Sequence, residues 1–233
     1  MVDEQARLTE LIAAETRAFD LLDRIEELGF VAAGRTEREV EKDIYALAEQ
    51  EFGVQVHWHK RIVRAGLNTL ATASDNPPIR TIAEDDMVFL DIGPVFEDWE
   101  ADVGRSYAIG TDPRKQALCR DLLAQFDIVR KHFWAETEIT GAALYDFACE
   151  SAKAAGWRFG GKIAGHIVGE FPHARLPGPK QINYISPENP EKLCNPDGLG
   201  QMRHWILEIH LVDPSGDFAG FYERLMLEKM DAA

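Results

Sequence analysis

The chain has 233 residues, 45% hydrophobic and 28% charged, a composition of ordinary soluble globular proteins with room for one large α/β domain or two small ones. Its 40 acidic residues against 25 basic ones give a net charge of −15, which argues against nucleic acid and anionic membrane surfaces as partners, since both need a basic face. The odd cysteines Cys119, Cys149 and Cys194 show no close pairing, so a disulfide framework or a structural zinc site is not expected, and a reducing compartment fits better.

The N-terminus is acidic and amphipathic, unlike a secretory signal, and no apolar run approaches the ~20 residues of a membrane span; a cytoplasmic location is expected. Residues 4–28 carry Leu8, Leu11, Ile12, Phe19, Leu22, Ile25 and Leu28 at helical spacing, and Gly29 stops the run. A second helix is predicted over 36–51, with Thr36 and Glu39 as a T-x-x-E capping box and Val40, Ile44, Leu47 and Ala48 as its apolar stripe. Residues 54–64 read as a strand with His57 and His59 on one face and Val56 and Trp58 on the other.

After the turn-rich SDNPP at 74–78, residues 88–110 read as two antiparallel strands holding Asp91 between Leu90 and Ile92, and Asp102 between Ala101 and Val103. Asp112-Pro113 opens a long helix to about residue 134, bearing Leu118, Leu122, Phe126 and Val129, and another runs from Thr140 to Gly156. The order of long helix, Thr-started helix and strands thus occurs twice, which fits two related halves with a cleft between them, or chance likeness of amphipathic helices. Residues 172–196 hold six of the 11 prolines and read as a long surface loop. Two strands, WILEIHLVD with Glu208 and GFYERLMLEK with Glu223, close the chain around DPSGD.

A lone ionised carboxylate in apolar surroundings costs several kcal/mol. Four carboxylates in four apolar strands, with His166 in GHIVGEFPH, have one economical explanation: they surround metal ions, which turn mutual repulsion into attraction. Oxygen ligands with a single imidazole suit Mn, Fe, Co or Zn. Each residue alone also reads as solvated surface or hydrogen-bonded core; the order of all five is far more specific.

That order, Asp91 and Asp102 eleven apart, His166 in G-H-x-x-G, then Glu208 and Glu223, resembles the pita-bread metallopeptidases, which include methionine aminopeptidase, Xaa-Pro aminopeptidase, prolidase and creatinase. The contexts FLDIG, EADVGRSY, ILEI and YERLML match as well, and the resemblance covers nearly the whole chain. It implies an α+β pita-bread fold: two pseudo-symmetric halves with a curved antiparallel sheet covered by helices, as a single catalytic domain over 1–233. It implies two divalent ions bridged by Asp102 and Glu223, one completed by Asp91 and the other by His166 and Glu208. A metal-bridged hydroxide would attack the amide of a small peptide or peptide-like substrate, with Glu208 shuttling the proton and His173 contacting the carbonyl or oxyanion. Arg105 would orient a ligand carboxylate or form a supporting salt bridge.

The family pattern departs at one place. Gly66 and Asn68 match its G-x-N context, but Ala73 stands where the peptidases carry a substrate-positioning histidine, which puts ordinary aminopeptidase activity in question. His57 and His59 either reach the cleft as substrate-binding residues or face solvent. The resemblance therefore implies a metallohydrolase of small peptides, with two alternatives: the same site acting on a non-peptide metabolite by C–N hydrolysis or lyase chemistry, or a non-catalytic binding module. The expected partner is a small peptide or small-molecule substrate, with homodimerisation left open.

Overall fold

The computed structural model describes residues 3–60, 62–72 and 74–228. Helix α1 (Glu4–Glu27) starts at Asp3, whose carboxylate accepts from the Gln5 and Ala6 amides, and α2 (Glu37–Phe52) starts at Thr36 in a reciprocal capping box with Glu39. Helix α3 (Pro113–Ala135) is again capped by an aspartate, Asp112, and α4 (Gly141–Ala154) by a threonine, Thr140. The repeat read in the sequence is thus repeated in the caps.

Nine strands were assigned among the described residues: β1 (Ile62–Ala65), β2 (Met87–Ile92), β3 (Val95–Phe96), β4 (Trp99–Glu100), β5 (Val103–Ala108), β6 (Arg158–Phe159), β7 (Gly165–Val168), β8 (His204–Val212) and β9 (Ala219–Leu225). Seven form one antiparallel sheet in the order β1-β2-β5-β9-β8-β6, with β7 also paired to β8. The other two, β3 and β4, make a small hairpin inserted between the two strands expected over 88–110. Strands β8 and β9 pair along Val212↔Ala219 to Ile206↔Leu225, as expected around DPSGD.

Strand alternation divides the sheet into two faces. Val88, Leu90, Ile92 and Val103 pack with Leu21, Leu22 and Ile25 of α1 and Val40 and Ile44 of α2. Leu207, Ile209 and Tyr222 pack with Leu118, Leu122 and Phe126 of α3 and Leu144 of α4. Each half has its own core, and burying each of these large apolar side chains stabilises the fold by about 1.5–3 kcal/mol. Strands β5 and β9 join the halves through the single register pair Gly104↔Glu223. Helix α1 crosses that seam: buried Glu15 accepts from Leu225 N at 2.6 Å and Arg224 Nη2 at 2.8 Å.

Two expectations are corrected here. The strand predicted over 54–64 is reduced to β1, because the backbone of the preceding residues bonds to the β2–β3 turn instead. Trp58 N donates to Gly93 O and Val95 N donates to Val56 O, both at 2.9 Å, and His57 makes an isolated bridge with Pro94. The proline-rich segment 172–196 is irregular as expected, yet it is not all surface. Ile185, Asn189 and Leu193 are buried in it, and Asn189 Nδ2 donates to the carbonyls of Tyr184 at 2.7 Å and Ile182 at 3.3 Å.

Candidate metal centre

The face of the sheet turned away from the helices carries a row of functional groups across four strands. Asp91 on β2 is paired with Gly104 on β5, Gly104 with Glu223 on β9, and Glu223 with Glu208 on β8. Leu90 and Ile92 point into the helix-side core, so alternation puts the intervening Asp91 on the opposite face. The same holds for Glu208 between Leu207 and Ile209. Gly104 leaves room in the middle of the row: a Cβ there would lie 2.8 Å from Phe221 Cδ1 and 3.2 Å from Glu223 Cγ. Asp102, two residues before Gly104, and His166, on β7 beside β8, complete the group.

These five residues line one cavity of about 370 Å³, together with Trp58, His59, Ile62, Phe89 and Phe221. His166 Nε2 is 2.9 Å from Asp102 Oδ2 and 3.7 Å from Glu208 Oε1. His59 Nε2 is 3.1 Å from Asp102 Oδ1 and 3.5 Å from Asp91 Oδ1. Two overlapping sets, His59 with Asp91 and Asp102, and Asp102 with His166 and Glu223, bring their donor atoms within 4.8 Å of one another.

Electrostatically the group is unfinished. Like charges directly opposite on paired strands repel, as Glu208 and Glu223 would if both were ionised. Burial, then the Asp102, Asp91 and Glu208 charges, push Glu223 well above the usual carboxylate range. Burial, against the pull of His166, raises Glu208 to about 8, and burial, against the pull of His59, raises Asp91 to about 6. Burial also acts to raise Asp102, but the two histidines overcome it and hold that carboxyl well below the ordinary range. Burial would lower both rings, yet Asp102 and Asp91 take His59 to about 10, and Asp102 takes His166 to about 9. Protons therefore stand in for positive charge.

The residues fit divalent cations. Glu223 is 2% exposed, and its Oε1 has no hydrogen-bond partner among the described residues. A buried acceptor left bare costs about 1–3 kcal/mol, more when charged, and a cation satisfies it. Carboxylates with imidazole are the donor set of Mn, Fe, Co and Zn.

The remaining expected site residues separate. His173 sits next to this cavity, its ring stacked 6.0 Å from that of His166, and lines a neighbouring cavity of about 230 Å³. Buried Glu100 holds it: His173 N donates to Glu100 Oε1 at 3.0 Å, and His173 Nδ1 bonds Glu100 Oε2. His59 is in the cleft, but His57 is not; its ring packs edge-on against Tyr45 of α2 at 5.2 Å, and burial lowers it to about 4. Arg105 does not reach the cleft either. It lies on the helix side of β5 and pairs with Asp23 at 2.7 Å and Glu26 at 3.2 Å on α1. Ala73 lies outside the described residues.

Two contributors were missed in the sequence. Glu100 lies in the acidic stretch VFEDWEADV, where nothing local sets it apart from Glu97 and Asp98 as the buried carboxylate. Trp58 was assigned to the face opposite His59; it instead touches the rings of His59, His166 and His173 at 4.4, 5.2 and 5.1 Å, and its Nε1 donates to Ala101 O at 3.0 Å.

The sequence pattern of metallopeptidase family M24 matches residues 7–196. The sequence matches no curated protein. Among solved structures, the chain resembles the X-Pro aminopeptidase of Thermotoga maritima at 19% identity and a TM-score of 0.73, covering 100% of this chain and 64% of that one. It resembles the prolidase of Thermococcus sibiricus at 21% identity and a TM-score of 0.67, covering 94% and 57% respectively. The methionine aminopeptidase of Thermotoga maritima gives 16% identity and a TM-score of 0.69, covering 97% of this chain and 94% of that one. The chain thus spans less than two thirds of the prolidase and X-Pro aminopeptidase chains and nearly all of the methionine aminopeptidase. All three are pita-bread enzymes, and the two-halved sheet described above is that fold. With its pattern matched over most of its length and its acidic row on the open face of the sheet, the chain belongs to metallopeptidase family M24.

Proposed function

We propose that the protein hydrolyses an amide bond of a short peptide at a dinuclear centre of Mn, Co, Fe or Zn held by Asp91, Asp102, His166, Glu208 and Glu223. The observation that carries this reading is the row Asp91–Gly104–Glu223–Glu208 with Asp102 and His166 beside it, five convergent donors in one cleft. Divalent cations bound there would polarise the substrate carbonyl and lower the pKa of water.

The chain's own groups supply the rest. Asp102 and Glu223, central in the cluster, are suited to bridge two cations. Glu208, facing His166 across the cleft at 3.7 Å, is placed to accept a proton at a carboxylate oxygen and return it to the leaving amine. Glu100 fixes the plane of the His173 ring and directs Nε2 away from itself. With Nδ1–H donating to that carboxylate, a neutral ring offers Nε2 as an acceptor to a substrate N–H, and only the imidazolium would donate to the carbonyl or oxyanion. Ile62, Phe89, Ile163 and Phe221 give the cavity apolar walls, and Lys60 and Lys162 add two ammonium groups to its lining. That combination favours an apolar side chain together with a free carboxylate, as in a dipeptide.

The test is a panel of dipeptides, Xaa-Pro and Met-initiated peptides and non-peptide amides, assayed with chelator-stripped and cation-reloaded protein. Hydrolysis of a peptide is expected only after reloading, and Glu208→Gln is expected to lower kcat by about 10²-fold or more while metal stays bound. Turnover indifferent to the chelator, or metal-loaded protein inert on every peptide, would defeat the proposal.

A further inference from the structure

The five-residue set contains one imidazole, yet two imidazoles reach Asp102. We propose that His59 is a sixth metal ligand, so that the centre carries one histidine per metal position. This rests on reading the cleft as a dinuclear metal centre.

The distances are those of a coordination shell. Metal–nitrogen and metal–oxygen bonds of about 2.0–2.2 Å place neighbouring ligand atoms roughly 3.0–3.5 Å apart. His59 Nε2 lies 3.1 Å from Asp102 Oδ1 and 3.5 Å from Asp91 Oδ1, two such edges. On the other side, His166 Nε2 lies 2.9 Å from Asp102 Oδ2. Asp102 therefore gives one oxygen to each histidine, as a bridging carboxylate gives one to each cation.

The two rings are also held alike. His59 Nδ1 bonds the carbonyl of Lys60 at 2.7 Å, and His166 Nδ1 bonds the carbonyl of Ile167 at 2.8 Å, in each case the next residue along the chain. A carbonyl only accepts, so Nδ1 must carry the hydrogen. The neutral ring then presents the Nε2 lone pair to the cleft, which is how a carbonyl orients a metal-binding histidine. Trp58 packs edge-on against both rings, and Gly93 clears the space for one of them: a Cβ on Gly93 would overlap His59 Nε2 and Cδ2. The buried Oε1 of Glu223, without a hydrogen-bond partner among the described residues, is an acceptor in the same cluster that a cation would satisfy.

Two consequences follow. A nitrogen donor at the Asp91 position moves that site's preference from Mn toward Co, Zn or Fe. The added ligand also occupies one coordination position otherwise open to water or substrate.

The test uses the full chain loaded with Co²⁺, read by metal content after dialysis, by Co²⁺ titration, and by proton NMR of paramagnetically shifted imidazole N–H signals. Wild type is expected to hold two Co²⁺ and show two such exchangeable signals, one from each Nδ1–H. His59→Ala is expected to lose one signal and to weaken binding of one Co²⁺ by at least about tenfold. His59→Asp, which keeps a ligand but no imidazole, is expected to recover affinity without the signal. Matching thermal unfolding of the metal-free variants separates ligand loss from misfolding. A single shifted signal in wild type with unchanged affinity in His59→Ala would overturn the assignment. So would a rise from one Co²⁺ to two in His59→Ala, which would make the ring an occupant of the cation's place. Wild type that binds no Co²⁺ would overturn both this inference and the dinuclear reading.

Discussion

At Asp91, Glu208, Glu223, His59 and His166, protons and the proposed divalent cations would compete for the same atoms. All five hold protons more tightly in the folded chain than free side chains do, for the causes given above. The folded state therefore binds more protons than the unfolded state, and stability falls as pH rises. For the carboxyls that loss begins near the ordinary value of 4.5 for Glu208 and extends to its folded value of about 8. For His59 it begins near 6.5 and extends to about 10. Asp102, held low, has the opposite sign and loses its contribution only as pH falls through its own depressed value. His57, His204 and His210, lowered by burial, act in the opposite sense only below about pH 6.5. The metal-free protein is therefore expected to show a falling thermal midpoint from about pH 7 to about pH 9, and added Co²⁺ or Mn²⁺ to flatten that slope. A metal-free midpoint that climbs across this range would be incompatible with these protonations. Asp91, Asp102, Glu208 and Glu223, which the structure brings into one cleft, were legible as unusual positions because each carboxylate interrupts an apolar run. His59 was left between cleft and solvent and Trp58 was set on the wrong face, because residues 54–60 cross the β2–β3 turn instead of pairing as a strand. Glu100 was not legible because its partner His173 is 73 residues away. Arg105 was set beside Asp102 by the family resemblance; three residues further along the chain, it faces α1 instead.

Among the elements, β5 does most to shape the centre, and it does so through a missing side chain. Gly104 lies between Asp91 and Glu223 in the row, with Phe221 and Glu223 pressed over its Cα. Gly104→Ala would force Phe221 aside at 2.8 Å and crowd Glu223 at 3.2 Å. Overpacking of this kind costs about 1–3 kcal/mol. Chemical denaturation is expected to show that loss, accompanied by weaker metal binding. Unchanged stability and unchanged affinity would show that the row tolerates a methyl group at its centre. The helices were readable almost to the residue because their caps are local chemistry: Thr36 with Glu39, Asp112 before Pro113, and Thr140. The inserted hairpin β3–β4 was not, since it is two residues per strand around Glu97 at φ 57°, too short for periodicity to show.

The molecule as a whole sets two apolar cores behind one acidic cleft, and the halves meet at Gly104↔Glu223, inside the candidate centre. Anything that satisfies the carboxylates therefore also braces the seam, assisted by α1 through Glu15 and Leu225. The twofold order of helices and strands was visible in the sequence. The pairing of β5 with β9 was not, because it joins segments more than a hundred residues apart. No described helix is long and apolar enough to cross a membrane. The most direct test of the metal centre is anomalous X-ray scattering, at the absorption edge of the added cation, from crystals grown with Co²⁺ or Zn²⁺. Two peaks are expected in the cleft, one bounded by His59, Asp91, Asp102 and Glu223 and the other by Asp102, His166, Glu208 and Glu223. A well-ordered cleft with no anomalous peak among these side chains would contradict it.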